Sequence, residues 1–283
     1  MKYAYRELPE GINNPPVNHL KEAAVLASGL LAGVVGVFFL LGLAADRLVE
    51  RLSPEAERRL AGMISIPVDP SRQTRDELQA QRLLDSLVLG RPEVRGPLRV
   101  KIACSPQVNA VALPGGTVLL FSGLVARMRS ENELAMVLGH EAGHFAARDH
   151  LKGLGRTLVV MALTSFLFGT QDGVPSFLKS LVGVSAFHFS RAQEEAADDF
   201  GARLVNEHYG HAAGVVDFFR TLAEEEQRSE LGAWFSTHPS PESRIELLDG
   251  LAAREGWRLE DTRPLDGREW AGRCSEPLPA ANE

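Results

Sequence analysis

The chain has 283 residues, 45% of them hydrophobic, and a formal charge of −7 at pH 7. That length supports one sizeable core or two small ones, and an acidic balance without a Lys/Arg cluster excludes a nucleic-acid-binding surface. Cys104 and Cys274 form no C-x-x-C, which excludes a zinc knuckle or thioredoxin-type site; two unpaired thiols are the simpler expectation, and a long-range disulfide in an oxidising compartment the alternative.

Residues 1–22 are polar and broken by Pro9, Gly11, Pro15 and Pro16, so they read as a flexible tail. Ala23 to Ala45 carries no charge. About 20 apolar residues cross a bilayer as a helix, so this run is expected to be a transmembrane anchor. Glu7, Glu10 and Glu22 before it, and the length of the run, argue against a cleaved signal peptide. Lys2, Arg6 and Lys21 precede the run and Arg47, Arg51, Arg58 and Arg59 follow it, so charge does not set its orientation.

The rest of the protein is expected as one domain over residues 50–255. Thr74-x-x-Glu77 looks like a capping box opening a helix through Leu78, Leu83, Leu84, Leu87 and Val88. Leu98–Ala103, Asn109–Leu113 and Thr117–Phe121 are short strand-like runs, the last two joined as a hairpin by Pro114-Gly115-Gly116. Ser130-x-x-Glu133 reads as a second capping box, opening a further helix that carries the His140–His144 segment. Thr157–Thr170 is uncharged and Gly173–Phe189 contains only Lys179, which suggests an apolar helical hairpin over 154–189, buried in the core or dipping into the membrane. Polar helices return from Ser190 to about Ala253, and residues 256–283 read as a tail without a period.

His140-Glu141-Ala142-Gly143-His144 is the pattern that carries chemistry. Two histidines four apart share one helix face and can grip a divalent ion, with the intervening glutamate placed to take a proton from bound water. A catalytic site needs a third protein ligand and an open position. His150, six residues past His144, would serve if the helix broke at Ala147, where a glycine would be expected; a continuing helix carries His150 away. Glu194 is the better candidate. Asp198 lies one turn on, on the same face, where it can hold the second ring nitrogen of a ligand histidine. Ala196 and Ala197 beside them are small enough for close helix packing, and Glu195 and Asp199 are rival carboxylates.

Four ordered segments resemble the HtpX-like zinc metallopeptidases, which include the CAAX prenyl endopeptidases and the Oma-type mitochondrial protease. They are Asn109-Ala110-Val111-Ala112-Leu113-Pro114-Gly115-Gly116, the His140–His144 motif, Ser190-Arg191 through Glu194 and Ala197-Asp198, and Thr237-His238-Pro239 with Arg244-Ile245. Val111 and Glu195 stand where that family favours aromatics. The resemblance implies a gluzincin-type domain, mainly α with a small β-sheet (α+β), and one Zn²⁺ per chain on His140, His144 and Glu194. It implies Glu141 as general base, His238 as oxyanion donor, and Arg244 either binding substrate or pairing with Asp198. Asn109, Ala110, Val111, Ala112 and Leu113 would be an edge strand pairing with extended or unfolded polypeptide substrates. The expected setting is a bacterial-type inner membrane crossed once, with the lipid bilayer as partner. An Oma-like arrangement puts the catalytic domain on the periplasmic side; an HtpX-like one would put it in the cytoplasm. The rival reading is a catalytically silent zinc scaffold or chaperone, against which an intact Glu141 argues.

Overall fold

The computed structural model describes residues 18–64, 68, 73–169, 189–226, 241–265 and 267–272. The first element, α1 (His19–Arg51), is capped by Asn18, whose side chain accepts the Lys21 N–H at 3.1 Å. Its 33 residues extend about 50 Å. Leu26, Leu30, Phe39 and Leu40 are exposed along it, so water would face a continuous apolar surface. A helix of this length and hydropathy can cross a membrane. Only two residues separate it from α2 (Pro54–Ala61).

The capping box on α3 (Arg75–Leu87) forms in both directions: Thr74 Oγ1 accepts the Glu77 N–H at 3.1 Å, and Glu77 Oε2 accepts the Thr74 N–H at 2.9 Å. The same helix then closes one edge of a sheet. Strands β1 (Arg99–Ala103), β2 (Ala110–Leu113) and β3 (Thr117–Phe121) lie in the order β1-β3-β2. β1 runs parallel to β3, from Arg99 opposite Thr117 to Ala103 opposite Phe121. β2 is antiparallel to β3, from Ala110 opposite Leu120 to Leu113 opposite Thr117. On the outer side of β1, Gln81 accepts the Val100 N–H at 2.8 Å and donates to Leu98 O at 2.9 Å, while Glu77 Oε1 accepts the Ile102 N–H at 2.9 Å. These side chains occupy the pairing groups that an unpaired edge would otherwise offer to another strand. The other edge is β2.

After the short α4 (Ser122–Val125) come α5 (Glu131–Ala147), α6 (Asp149–Phe168), α7 (Arg191–Tyr209), α8 (Asp217–Glu226), α9 (Pro241–Glu255) and α10 (Gly267–Gly272). The main core joins one sheet face to these helices through Leu84, Val118, Leu120, Met136, Leu138, Phe218 and Phe219. A smaller core on the other face gathers Leu113, Leu119, Phe121 and Leu154, with Leu60, Leu158 and Phe189 packed against it. The chain is mainly helical with a small sheet, an α+β fold.

Three sequence expectations need amending. Ser130 Oγ accepts the Glu133 N–H at 3.2 Å, but the Glu133 carboxylate takes the Arg129 N–H at 2.8 Å rather than closing a box. Residues 257–265 and 267–272 lie across the start of α5: Ser130 bridges Pro264, Glu131 N–H donates to Arg263 O at 2.8 Å, and Trp270 is buried. Cys104 is disulfide-bonded in a chain with one other cysteine, so the expectation of unpaired thiols gives way to a covalent tie. Finally, α5 does break: Arg148 follows Ala147 in the left-handed region, φ 58° and ψ 29°. The apolar hairpin predicted over 154–189 is seen as α6 up to Phe168, and residues 170–188 lie outside the described residues.

Candidate active site

α5 and α7 cross with almost no side-chain layer between them, which is what brings their polar residues together. A Cβ on Gly139 would lie 2.9 Å from the Gly201 Cα, and one on Gly143 3.0 Å from the Ala197 Cα. One turn before Ala197, on the same face of α7, stands Glu194. Its carboxylate therefore meets the two imidazoles of α5: Oε1 is 3.4 Å from His144 Nε2, and Oε2 is 3.7 Å from His140 Nε2. The two Nε2 atoms are 3.1 Å apart. All three residues are buried.

Donors held this way fit one tetrahedral ion. At the roughly 2.0–2.1 Å bonds zinc makes to imidazole, tetrahedral donors stand about 3.3 Å apart, within the 3.1–3.7 Å range of these pairs. His140, His144 and Glu194 are the group among the described residues able to hold a metal. Glu141 is buried beside them, and its Oε1 finds no hydrogen-bond partner among the described residues. A buried carboxylate oxygen without a donor is costly unless a ligand or water completes it.

Each imidazole is fixed from behind. His140 Nδ1 lies 2.9 Å from Asp198 Oδ1, so its proton faces the carboxylate and its Nε2 lone pair faces the metal position. Arg244 clamps Asp198, with Nε 2.7 Å from Oδ2 and Nη2 2.5 Å from Oδ1. Its guanidinium lies 4.2 Å from the Phe219 ring centre. Arg244 Nη2 also lies 3.0 Å from His140 Nδ1, but both nitrogens carry protons in that tautomer, so this is contact rather than a hydrogen bond. Burial opposes ionisation of Asp198, yet the charge and hydrogen bonds of Arg244, with His140, hold its carboxyl below the usual range. Burial and the Arg244 charge together push His140 down, in favour of a neutral imidazole.

His144 has a partner that the sequence reading missed. Its Nδ1 is 3.2 Å from Asp149 Oδ2, and Gln193 Nε2 donates to Asp149 Oδ1 at 2.6 Å. Burial disfavours the His144 cation, but Asp149 and Glu194 outweigh it and raise the metal-free pKa to about 9. Asp149 sits five residues past His144, off the helix face that spacing rules follow; only the turn at Arg148 brings it back. Phe189 stacks on the His144 ring at 4.0 Å, a contact also unforeseen.

His150 is turned away from this group. Although the helix breaks, it does so one residue later than a third-histidine arrangement requires, and His150 Nε2 lies 3.3 Å from Glu57 Oε1 instead. Glu195 is exposed and Asp199 pairs with Arg203 at 2.9 Å, so neither rivals Glu194. Arg191 is exposed. Asn109 to Leu113 lead into and form the edge strand β2, with Val111 partly exposed and its neighbours buried. His238 lies outside the described residues.

Residues 70–252 match peptidase family M48. Among curated relatives, metalloprotease LoiP of Escherichia coli K12 is 26% identical over 235 residues, 81% of this chain and 90% of that protein. The mitochondrial metalloendopeptidase OMA1 of Arabidopsis thaliana is 32% identical over 150 residues, 53% of this chain but only 30% of that protein. Metalloprotease YcaL of Escherichia coli K12 is 30% identical over 162 residues, 56% of this chain and 63% of that protein. The chain thus spans about a third of the plant relative and most of LoiP. The family match takes in α3 through nearly all of α9, and with them the sheet, both histidines of the donor group and its glutamate: the protein belongs to peptidase family M48.

Proposed function

We propose that this chain is a membrane-anchored zinc endopeptidase that cleaves unfolded or extended polypeptides. The observation that carries this reading is the convergence of His140, His144 and Glu194 on one buried point, with the Glu141 carboxylate beside it. In the proposed assignment the three donors hold Zn²⁺, which when bound activates water and polarises the scissile carbonyl. Glu141 takes the proton on a carboxylate oxygen and passes it to the leaving amine. Asp198 and Asp149 keep the protons of His140 and His144 on Nδ1, so both Nε2 atoms stay available. Arg244 neutralises Asp198 rather than reaching for substrate. By family resemblance, His238 supplies a donor to the developing oxyanion.

Substrate is held along β2 by main-chain pairing. The closed outer edge of β1 supports this, because it leaves β2 as the sheet edge for an incoming strand. Loose sequence preference follows from main-chain recognition. The named role of one relative, a putative beta-barrel assembly-enhancing protease of Vibrio cholerae, supports substrates among misfolded or damaged envelope proteins.

The proposed location is a bacterial-type inner membrane, crossed once by α1. The disulfide at Cys104 supports a periplasmic catalytic domain, since such bonds persist in oxidising compartments. α6 also belongs near the bilayer in this reading. Arg156 pairs with Asp46 at 2.8 Å and Gly155 packs on Ala45, so α6 runs back antiparallel beside α1. Its charge-free half, including the exposed Phe166, then lies level with the apolar span of α1.

The test uses the full chain in detergent with casein as substrate. Glu141→Gln should keep one bound zinc and lose cleavage; Glu194→Ala should lose zinc, and His150→Ala should not. A wild type that holds zinc and binds casein without cutting it would replace the enzyme by a scaffold.

A further inference from the structure

Glu57 lies in α2, six residues beyond the last residue of α1 and far in sequence from the metal donors. Its partly buried carboxylate is shared by the β2–β3 turn and the end of α5. Oε1 accepts the Gly115 N–H at 3.1 Å and lies 3.3 Å from His150 Nε2; Oε2 accepts from Arg148 Nη2 at 3.2 Å. Gly115 is in the turn between β2 and β3, whereas Arg148 and His150 flank the break that ends α5. The hairpin turn rests directly on α2: at φ 84°, a Cβ on Gly115 would lie 2.5 Å from the Ala61 Cβ. Arg148 also reaches the anchor, donating from both Nη atoms to Leu52 O at 3.1 Å. A non-glycine residue in the left-handed region is uncommon; here that turn puts the buried guanidinium between the anchor's last carbonyls and Glu57.

We propose that Glu57 and Arg148 are positioning residues that fix the edge strand against the metal helix and seat both on the end of the membrane helix. This rests on the endopeptidase reading. An extended peptide is held on one side by β2 and must present its carbonyl to the metal on the other. The spacing between those two elements therefore sets whether a bound peptide is reactive, and misplacement by about 1 Å can cost on the order of a hundredfold in rate. A clamp that ties the hairpin turn to the end of α5 holds that spacing without touching metal or substrate.

The experiment compares full-length wild type, Glu57→Gln and Arg148→Gly in detergent. Glycine accepts the Arg148 backbone conformation without strain, so that variant removes the side chain alone. Amide hydrogen exchange is read first, then cleavage of a long unstructured peptide that can lie along β2 and of a short one that reaches only the metal. Both variants should exchange about tenfold faster over residues 110–116 and 147–151, with residues 197–205 unchanged. Cleavage efficiency on the long peptide should fall about tenfold, with that on the short one within about twofold and zinc content constant. Unchanged exchange over 110–116 overturns the clamp. Parallel loss on both peptides, tracking a lower melting temperature, overturns positioning and leaves a stabilising contact. A wild type inactive on both sinks the endopeptidase reading, and the exchange result still decides whether the clamp exists.

Discussion

Gly201→Ala perturbs the site through backbone geometry alone. The residue carries no side chain, lies seven residues past Glu194 on α7, and faces His140. An added Cβ would meet the His140 backbone N at 2.8 Å, the Gly139 carbonyl carbon at 3.1 Å and the His140 Cα at 3.3 Å. These are helix backbone atoms, so no rotamer change relieves the clash and the helices must part by some tenths of an ångström or more. Overpacking of this kind costs about 1–3 kcal/mol. At about 2–4 °C per kcal/mol for a domain this size, the melting temperature should fall by roughly 2–12 °C. The same displacement moves Glu194 away from both imidazoles, from pair distances of 3.4 and 3.7 Å that a single ion can just bridge. Zinc affinity should therefore drop at least tenfold, read by competition with a fluorescent chelator, while Gly210→Ala at the exposed end of α7 should leave it unchanged. If Gly201→Ala melts within about 1 °C of wild type and binds zinc equally well, close helix approach does not set the site.

Asp149→Ala should lower zinc affinity by about 10–100-fold, as removal of a histidine's outer partner does, measured by the same competition; an unchanged affinity would show that Gln193 and Asp149 merely fill space. Zinc binding should depend on pH through His144, whose metal-free pKa is raised from 6.5 to about 9. Metal needs the neutral ring, so below about 9 each ion displaces a proton and affinity rises with pH, flattening above that value. The linkage for the metal-free fold has the opposite sense: a raised pKa stabilises fully below 6.5, and the contribution is lost as pH rises through about 9. Calorimetry in buffers of different ionisation enthalpy reads the proton release, and its absence near pH 7 would contradict the assignment. Arg244→Met should destabilise by about 3–5 kcal/mol, because Asp198 is left buried and charged without its counter-ion. Adding Asp198→Asn should recover part of that loss in thermal unfolding; equal losses in the single and double variants would deny the pairing.

Much of the site was legible because it obeys local periodicities. His140 and His144 share a helix face by their spacing of four, and Glu194 and Asp198 do the same, so each pair can be read without knowing the fold. The capping box at Thr74 and the apolar run of α1 are local in the same sense. Asp149 was invisible for the complementary reason: its approach to His144 depends on one left-handed residue, Arg148, that no preference of arginine announces. Sequence likewise gave no reason to connect Glu57 with Gly115, 58 positions apart, or to expect the residues after Gly256 to pack across the start of α5.

The chain by itself determined which helix faces bear donors, which segment is apolar enough to enter a bilayer, and which residues start helices, since all three depend on neighbours within a turn or two. Only the tertiary structure decided that the two donor faces meet. That meeting depends on Gly139, Gly143, Ala197 and Gly201 letting two backbones touch, and close approach is a property of paired surfaces, which neither helix specifies alone.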